Sequence, residues 1–260
     1  MNNRRYGVDI TCHYRPLGFS YGDRAFGPQP EIRKLDAIRK SLMDPQCRGP
    51  EDVYAIVMDI GNREDYEKIT ERNLLFAAVS YARGRLGNEP VRSQGHIHSY
   101  SPSCGSSTGE LYEIWHGRAG IYMQERASDD PGRCYLVIAE EGDVVLVPPY
   151  WAHATINLDF HRNMTFGAWC VRDYGYDYDE VRAHHGVAYF PVIGENDEIE
   201  MIPNPNYNAP ECIIKRPRIY REFNMEPGVP IYKQFQQDPD RILFICRPSD
   251  YQDKWAGFEP

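Results

Sequence analysis

The chain has 260 residues, 42% of them hydrophobic, which is enough for a packed core. It carries 29 basic against 38 acidic side chains, a net charge of −9. That acidity works against a nucleic-acid partner, and no apolar run approaches the eighteen residues of a membrane span. Its seven cysteines are odd in number and widely spaced with no CxxC pair, so neither a disulfide framework nor a zinc knuckle fits. No charged-then-apolar leader opens the chain, and the expected address is the cytoplasm.

Residues 1–30 are rich in Gly, Pro and Tyr and read as an irregular arm. Over Pro30–Asp44 the apolar residues Ile32, Leu35, Ile38 and Leu42 recur at helical spacing, with Pro30 as a first-turn residue, so a helix is expected. Val53–Gly61 reads as a strand, and Asn73–Gly87 as a second. From Gly95 the texture changes to short segments rich in β-branched and aromatic residues, each ended by Gly, Pro or Asp. Such a series suggests a barrel or double-sheet sandwich. The last sixty residues are rich in Pro and Tyr, with "RILFICR" (Arg241–Arg247) as a clear strand in an arm that packs on the barrel or a neighbouring subunit. The basic run "KRPRIYR" (Lys215–Arg221) matches no nucleic-acid motif and reads as a solvated or self-packing segment. A single domain is expected: arm and helix over 1–50, barrel over 51–195, C-terminal extension over 196–260.

The chemistry concentrates in "GHIHSYSPSCGSSTGELYEIWHG" (Gly95–Gly117). Residues i and i+2 of a strand share a face, so His96 and His98 project together and Ile97 turns away. If the Ser/Gly-rich loop closes a hairpin, Glu110 comes to lie beside them, with Tyr112 on the same face. Further on, Gly142, Pro148, His153 and Asn157 punctuate "GDVVLVPPYWAHATIN", which places His153 just beyond a proline-set turn. Three imidazoles and a carboxylate suit Fe(II), Mn(II), Ni(II) or Zn(II), and the residue types do not rank them. His116, His161, His184 and His185 have no motif support and read as surface or structural.

Together, "HIH…E-x6-G" and "G-x5-P-x4-H-x3-N" resemble the two signatures of the cupins. That resemblance implies a mainly β fold, the double-stranded β-helix or jelly-roll-like barrel. It also implies His96, His98, Glu110 and His153 as ligands of one divalent metal. One departure is Tyr150, where the second signature usually has Gly. "VRSQGHIH…GELYEIWHGRAGIYMQ…VPPYWAHATIN" further resembles the cupin-type glucose-6-phosphate isomerases, over about Pro30–Tyr178.

This second resemblance implies a homodimeric aldose–ketose isomerase of glycolysis and gluconeogenesis, with iron or manganese and a phosphorylated sugar as substrate. It places substrate phosphate near Ser80, Ser93 and Gly95, with Arg92 adjacent. Ser93 and Arg92 stand where relatives usually have Thr and Lys, and the hydroxyl and the charge are kept. The stretch "VRDYGYDYDE" resembles a family segment close to G-H-D-Y. Here Tyr176 replaces its His and Tyr178 keeps its place, so Tyr176 and Tyr178 are expected over the sugar. Glu110 is the candidate base as well as a ligand, two roles that compete. Transfer of the hydrogen as a proton or as a hydride both remain open. The alternatives are a cupin isomerase of an unphosphorylated sugar, of lyxose or mannose type, a cupin dioxygenase, and a sugar-binding cupin without turnover.

Overall fold

In the computed structural model, which describes residues 4–260, two sheets face one another. The larger, seven-stranded among the described residues, runs Val144–Val147, Glu110–His116, Met164–Val171, Leu74–Tyr81, Asp52–Asn62, Ala25–Phe26, with Glu31–Lys34 also paired to Asp52–Asn62. The smaller runs Ala152–Asn157, Ala119–Gln124, Cys134–Ala139, Cys212–Lys215, its last pair parallel. Together they make the mainly β, cupin-type barrel that the motifs imply.

The strands are buried on both faces, which is why their sequences read as continuous apolar runs. On Leu74–Tyr81, Leu75, Ala77, Val79 and Tyr81 point into the barrel, while Leu74, Phe76 and Ala78 point out. Inside, the first set meets Tyr112, Ile121, Tyr135 and Phe166. Outside the large sheet, Phe76, Trp115 and Trp169 lie under the C-terminal Ile231, Tyr232 and Phe235. Outside the small sheet, Tyr122, Leu136 and Ile156 lie under Val187, Tyr189 and Tyr207. Extensions at both ends therefore seal faces that would otherwise expose apolar surface.

Three expectations need correcting. The N-terminal arm is not irregular: Ile10–Tyr14 and Leu17–Tyr21 pair as an antiparallel hairpin. Pro30–Asp44 is not a helix. Glu31–Lys34 is a strand on the edge of Asp52–Asn62, followed by the 3-10 turns Leu35–Ala37 and Arg39–Ser41. Leu35, Ile38 and Leu42 are buried as their spacing suggested, but strand pairing overrides the helical period of this short stretch. "RILFICR" is helical, a 3-10 turn over Pro239–Ile242 running into Leu243–Cys246. Its apolar run is too short for periodicity to separate a strand from a buried helical segment. By contrast, "KRPRIYR" packs on its own chain, with Lys215 paired to Glu259 and Arg218 to Glu222.

Candidate metal centre

His96 and His153 meet across the two motifs through the backbone. His96 N–H donates to the His153 carbonyl at 3.1 Å, and His153 N–H returns the bond at 2.9 Å. Next to it, His98 pairs with Tyr176 in a two-residue ladder that closes one end of the barrel. The alternation expected of His96 and His98 holds, since Ile97 packs into the outer cluster with Val181 and Val187. Gly95 enters this ladder at φ +91°, and a Cβ there would sit 2.5 Å from Val187 Cγ1, so only glycine fits. Glu110 opens the Glu110–His116 strand and, with Tyr112 and Ile114, faces inward.

One ligand atom from each of His96, His98, Glu110 and His153 lies within 4.8 Å of all the others. Glu110 Oε2 is 3.2 Å from His98 Nε2 and 3.5 Å from His153 Nε2. The second ring nitrogens fix the tautomers. His98 Nδ1 donates to the Thr108 carbonyl at 2.9 Å and His153 Nδ1 to the Trp151 carbonyl at 3.1 Å. Their Nε2 lone pairs are thus aimed at a carboxylate oxygen, an arrangement that repels unless a cation lies between. His96 Nε2 and His153 Nε2 are also buried with no hydrogen-bond partner. This donor set fits a divalent metal.

Burial works to push Glu110 up; protons on the Nε2 atoms of His153 and His98 would hold the carboxyl well below its usual range, and with those atoms bare that part falls to a cation. Burial drives His96 well below the ordinary imidazole value, helped by its two histidine neighbours. The same desolvation lowers His153 against the pull of Glu110. A neutral imidazole beside an ionised carboxylate is the protonation state that a metal requires.

Tyr112 shares the inner face, as its spacing implied, but it is spent on Glu110: its hydroxyl donates to Oε2 at 2.6 Å. Cys170 Sγ donates to the other oxygen, Oε1, at 3.2 Å. Sequence spacing missed Cys170, since only the register of Met164–Val171 against Glu110–His116 brings it there. Tyr176 stacks edge-on against His96 with ring centroids 4.6 Å apart, and Tyr178 stands at 5.9 Å.

Two residues assigned to phosphate lie elsewhere. Ser80 is fully buried on the outward face of Leu74–Tyr81, accepting from Thr165 Oγ1 at 3.1 Å; the strand pleat turns it away from the histidines. Arg92 is also fully buried, with its guanidinium committed to Glu89, the Ser93 carbonyl and the Ser41 carbonyl. It is a structural clasp in which each of the three guanidinium nitrogens has a partner. Ser93 and Gly95 lie on the segment that leads into the clustered histidines, where Ser93 Oγ accepts from Thr155 N–H at 3.0 Å. Of the histidines without motif support, His116 pairs with Glu141 and His184 with Asp129, both outside the cluster.

Comparison with known proteins gives partial overlays on solved structures. A vicilin from Corylus avellana covers 50% of this chain and 33% of its own at 10% identity, TM-score 0.36. An oxalate decarboxylase covers 61% and 30% at 12% identity, TM-score 0.35. Sequence similarity reaches further. The glucose-6-phosphate isomerase of Pyrococcus abyssi is 33% identical over 158 residues, 61% of this chain and 72% of the relative. That of Pyrococcus furiosus is 31% identical over 183 residues, 70% of this chain and 89% of the relative. Residues 35–208, well over half the chain and including all four clustered ligands, match the family model described as Glucose-6-phosphate isomerase (GPI), and the chain belongs to that family.

Proposed function

We propose that this chain interconverts glucose 6-phosphate and fructose 6-phosphate, as its relatives' names describe for them. The observation that carries the reading is the His96, His98, Glu110 and His153 cluster, closed by paired backbone bonds inside a barrel of this family. His96, His98, Glu110 and His153 would hold a divalent ion, iron or manganese, which would supply Lewis acidity to the sugar.

The remaining work falls to the chain's own side chains. Isomerisation takes a proton from C2 and returns one to C1 through an enediol. Glu110 Oε2 already accepts from Tyr112 and faces two imidazoles, whereas Oε1 receives only a weak thiol donor. Oε1 is therefore the atom that takes the C2 proton and hands it back at C1. Tyr176 and Tyr178 roof the histidines, and burial keeps both hydroxyls protonated at neutral pH, so they serve as donors to sugar oxygens. Their rings also limit access of water to the proton in transit. The reading extends to a homodimer, which light scattering on the folded chain would test.

The direct test is conversion of fructose 6-phosphate to glucose 6-phosphate by chelated protein with single metals restored. Turnover that returns with Fe(II) or Mn(II) supports the assignment. Folded protein that binds metal and turns over neither sugar phosphate would overturn it.

A further inference from the structure

Between the 99–109 connection and the C-terminal extension lies a cleft of about 300 Å³, lined by none of the four clustered ligands. One wall is Ser106 with the turn 148–151; the other is Pro248, Gln252 and Trp255. The second wall lies beyond the family-matched residues 35–208, so it belongs to this chain's own extension. Among the described residues, no charged side chain lines the cleft. Its size is at the lower end of small-molecule sites, with room for one ring rather than a peptide.

Tyr150 stands in this cleft under strain. Its φ is +69°, in the left-handed region where a bulky side chain is disfavoured and glycine is not. Burial does not offset that strain, since the residue is 56% exposed. Its N–H donates to Ser107 Oγ at 3.1 Å, a bond that does not need the ring. Strain kept on an exposed ring points to something that the ring touches from outside. The opposite wall has an unspent donor. Trp255 Nε1 is buried without a hydrogen-bond partner, and its ring is fixed against Phe223, with centroids 4.5 Å apart. A buried N–H left unpaired is costly, and a site that keeps one is matched to an outside acceptor. Ser249 and Gln252 are exposed at the rim, and no hydrogen bond ties either side chain to the described residues.

We propose that this cleft binds a neutral sugar, its ring stacked on Tyr150 and one of its oxygens accepting from Trp255 Nε1. Aromatic faces beside indole, amide and hydroxyl groups suit an uncharged ring with an apolar C–H face and a polar rim. A sugar phosphate would meet no cation there, and the chain's charge of −9 opposes it. The site goes beyond the isomerase reading and does not depend on it. It bears on the metal centre through the 99–109 connection. Ser107 Oγ accepts from Tyr150 N–H and donates to the His98 carbonyl at 2.7 Å, and the Thr108 carbonyl holds His98 Nδ1. A sugar on Tyr150 therefore steadies residues 105–108, the segment that orients His98.

The test titrates the full, metal-loaded chain with methyl α-glucoside, whose blocked C1 keeps it from being a substrate. Binding is followed by calorimetry and by amide hydrogen exchange, with fructose 6-phosphate saturating so that the metal centre is filled. Saturable binding is expected, with slower exchange over residues 105–108 and 249–255. Trp255→Phe keeps a ring and removes the donor, and should weaken binding about 3- to 10-fold, the effect of one hydrogen bond. Tyr150→Gly removes the stacked ring together with its strain, and should weaken binding by a similar factor of about 3 to 10. Gln252→Ala truncates an exposed side chain, so it keeps the fold and should still lower affinity. No binding by the parent, displacement by fructose 6-phosphate, or unchanged affinity in all three variants would overturn the site. Protection outside 105–108 and 249–255 alone would overturn it too. In each of these cases the isomerase reading stands, because turnover tests it separately.

Discussion

The two oxygens of Glu110 are in unequal surroundings, and that inequality would allow one carboxylate to be both ligand and base. Oε2 faces His98 and His153 and accepts from Tyr112; Oε1 receives only the Cys170 thiol. Glu110→Gln removes the base while keeping the shape, and turnover should fall at least about 100-fold. In heavy water the parent enzyme should place deuterium at C2 of glucose 6-phosphate; a product without deuterium would mean that the hydrogen moves directly between carbons. Arg92 is the opposite kind of residue. It and Glu89 are almost fully buried and 2.6 Å apart. Burial pushes Glu89 up, and Arg92 opposes this. Arg92→Ala should therefore act on stability, lowering it by about 3–5 kcal/mol through an uncompensated buried carboxylate. A urea titration that shows no shift in midpoint would contradict the clasp.

Between His98 and Glu110 runs the Ser- and Gly-rich connection 99–109. Little apolar side chain is available to pack it, so polar contacts define its shape. Asp173 is the anchor: Ser101 Oγ donates to it at 2.8 Å, Ser103 N–H at 3.1 Å and Asn73 Nδ2 at 3.2 Å. Against the upward push of burial, these donors hold the carboxyl down to about 2. A depressed carboxylate contributes its stabilisation above its unfolded pKa and loses it as pH falls through the folded one. The anchor is thus intact at neutral pH and weakens only between about pH 4 and pH 2. Asp173→Ala should speed amide exchange over residues 99–108 at neutral pH and leave the sheets protected. Exchange equal to the parent's would show that the loop is held elsewhere.

Over the whole molecule, the C-terminal extension covers the outer face of the large sheet, and one buried carboxyl lies in that seam. Glu113 Oε2 accepts from Trp115 Nε1 at 3.0 Å, and its Oε1 accepts from Ile231 N–H at 3.3 Å. Burial raises it to about 7, despite those donors. The folded chain thus holds a proton that the unfolded chain has already released above about pH 4.5. Stability should fall as pH rises from about 4.5 to 7 and level off above, by at most about 3 kcal/mol at 1.36 kcal/mol per unit. Glu113→Gln should flatten that slope in urea titrations between pH 5 and 7.5. A slope equal to the parent's would assign the pH dependence to other groups.

The sequence by itself marked the four residues that cluster, His96 and His98 through the alternation of the strand pleat and Glu110 and His153 through the resemblance of the two motifs. It also marked which residues are buried, as Leu35, Ile38 and Leu42 show, but not the element that buries them. Only the tertiary structure decided which face Ser80 takes, since a shift of one residue in the pleat reverses every side chain of a strand. Spacing likewise cannot tell that Arg92 is spent on Glu89, three positions back. Gln94 and Arg182 meet although 88 positions apart, and Cys170 reaches Glu110 across 60. Such meetings depend on how strands pair and how the extensions close over them, and no local pattern in the chain encodes that closure.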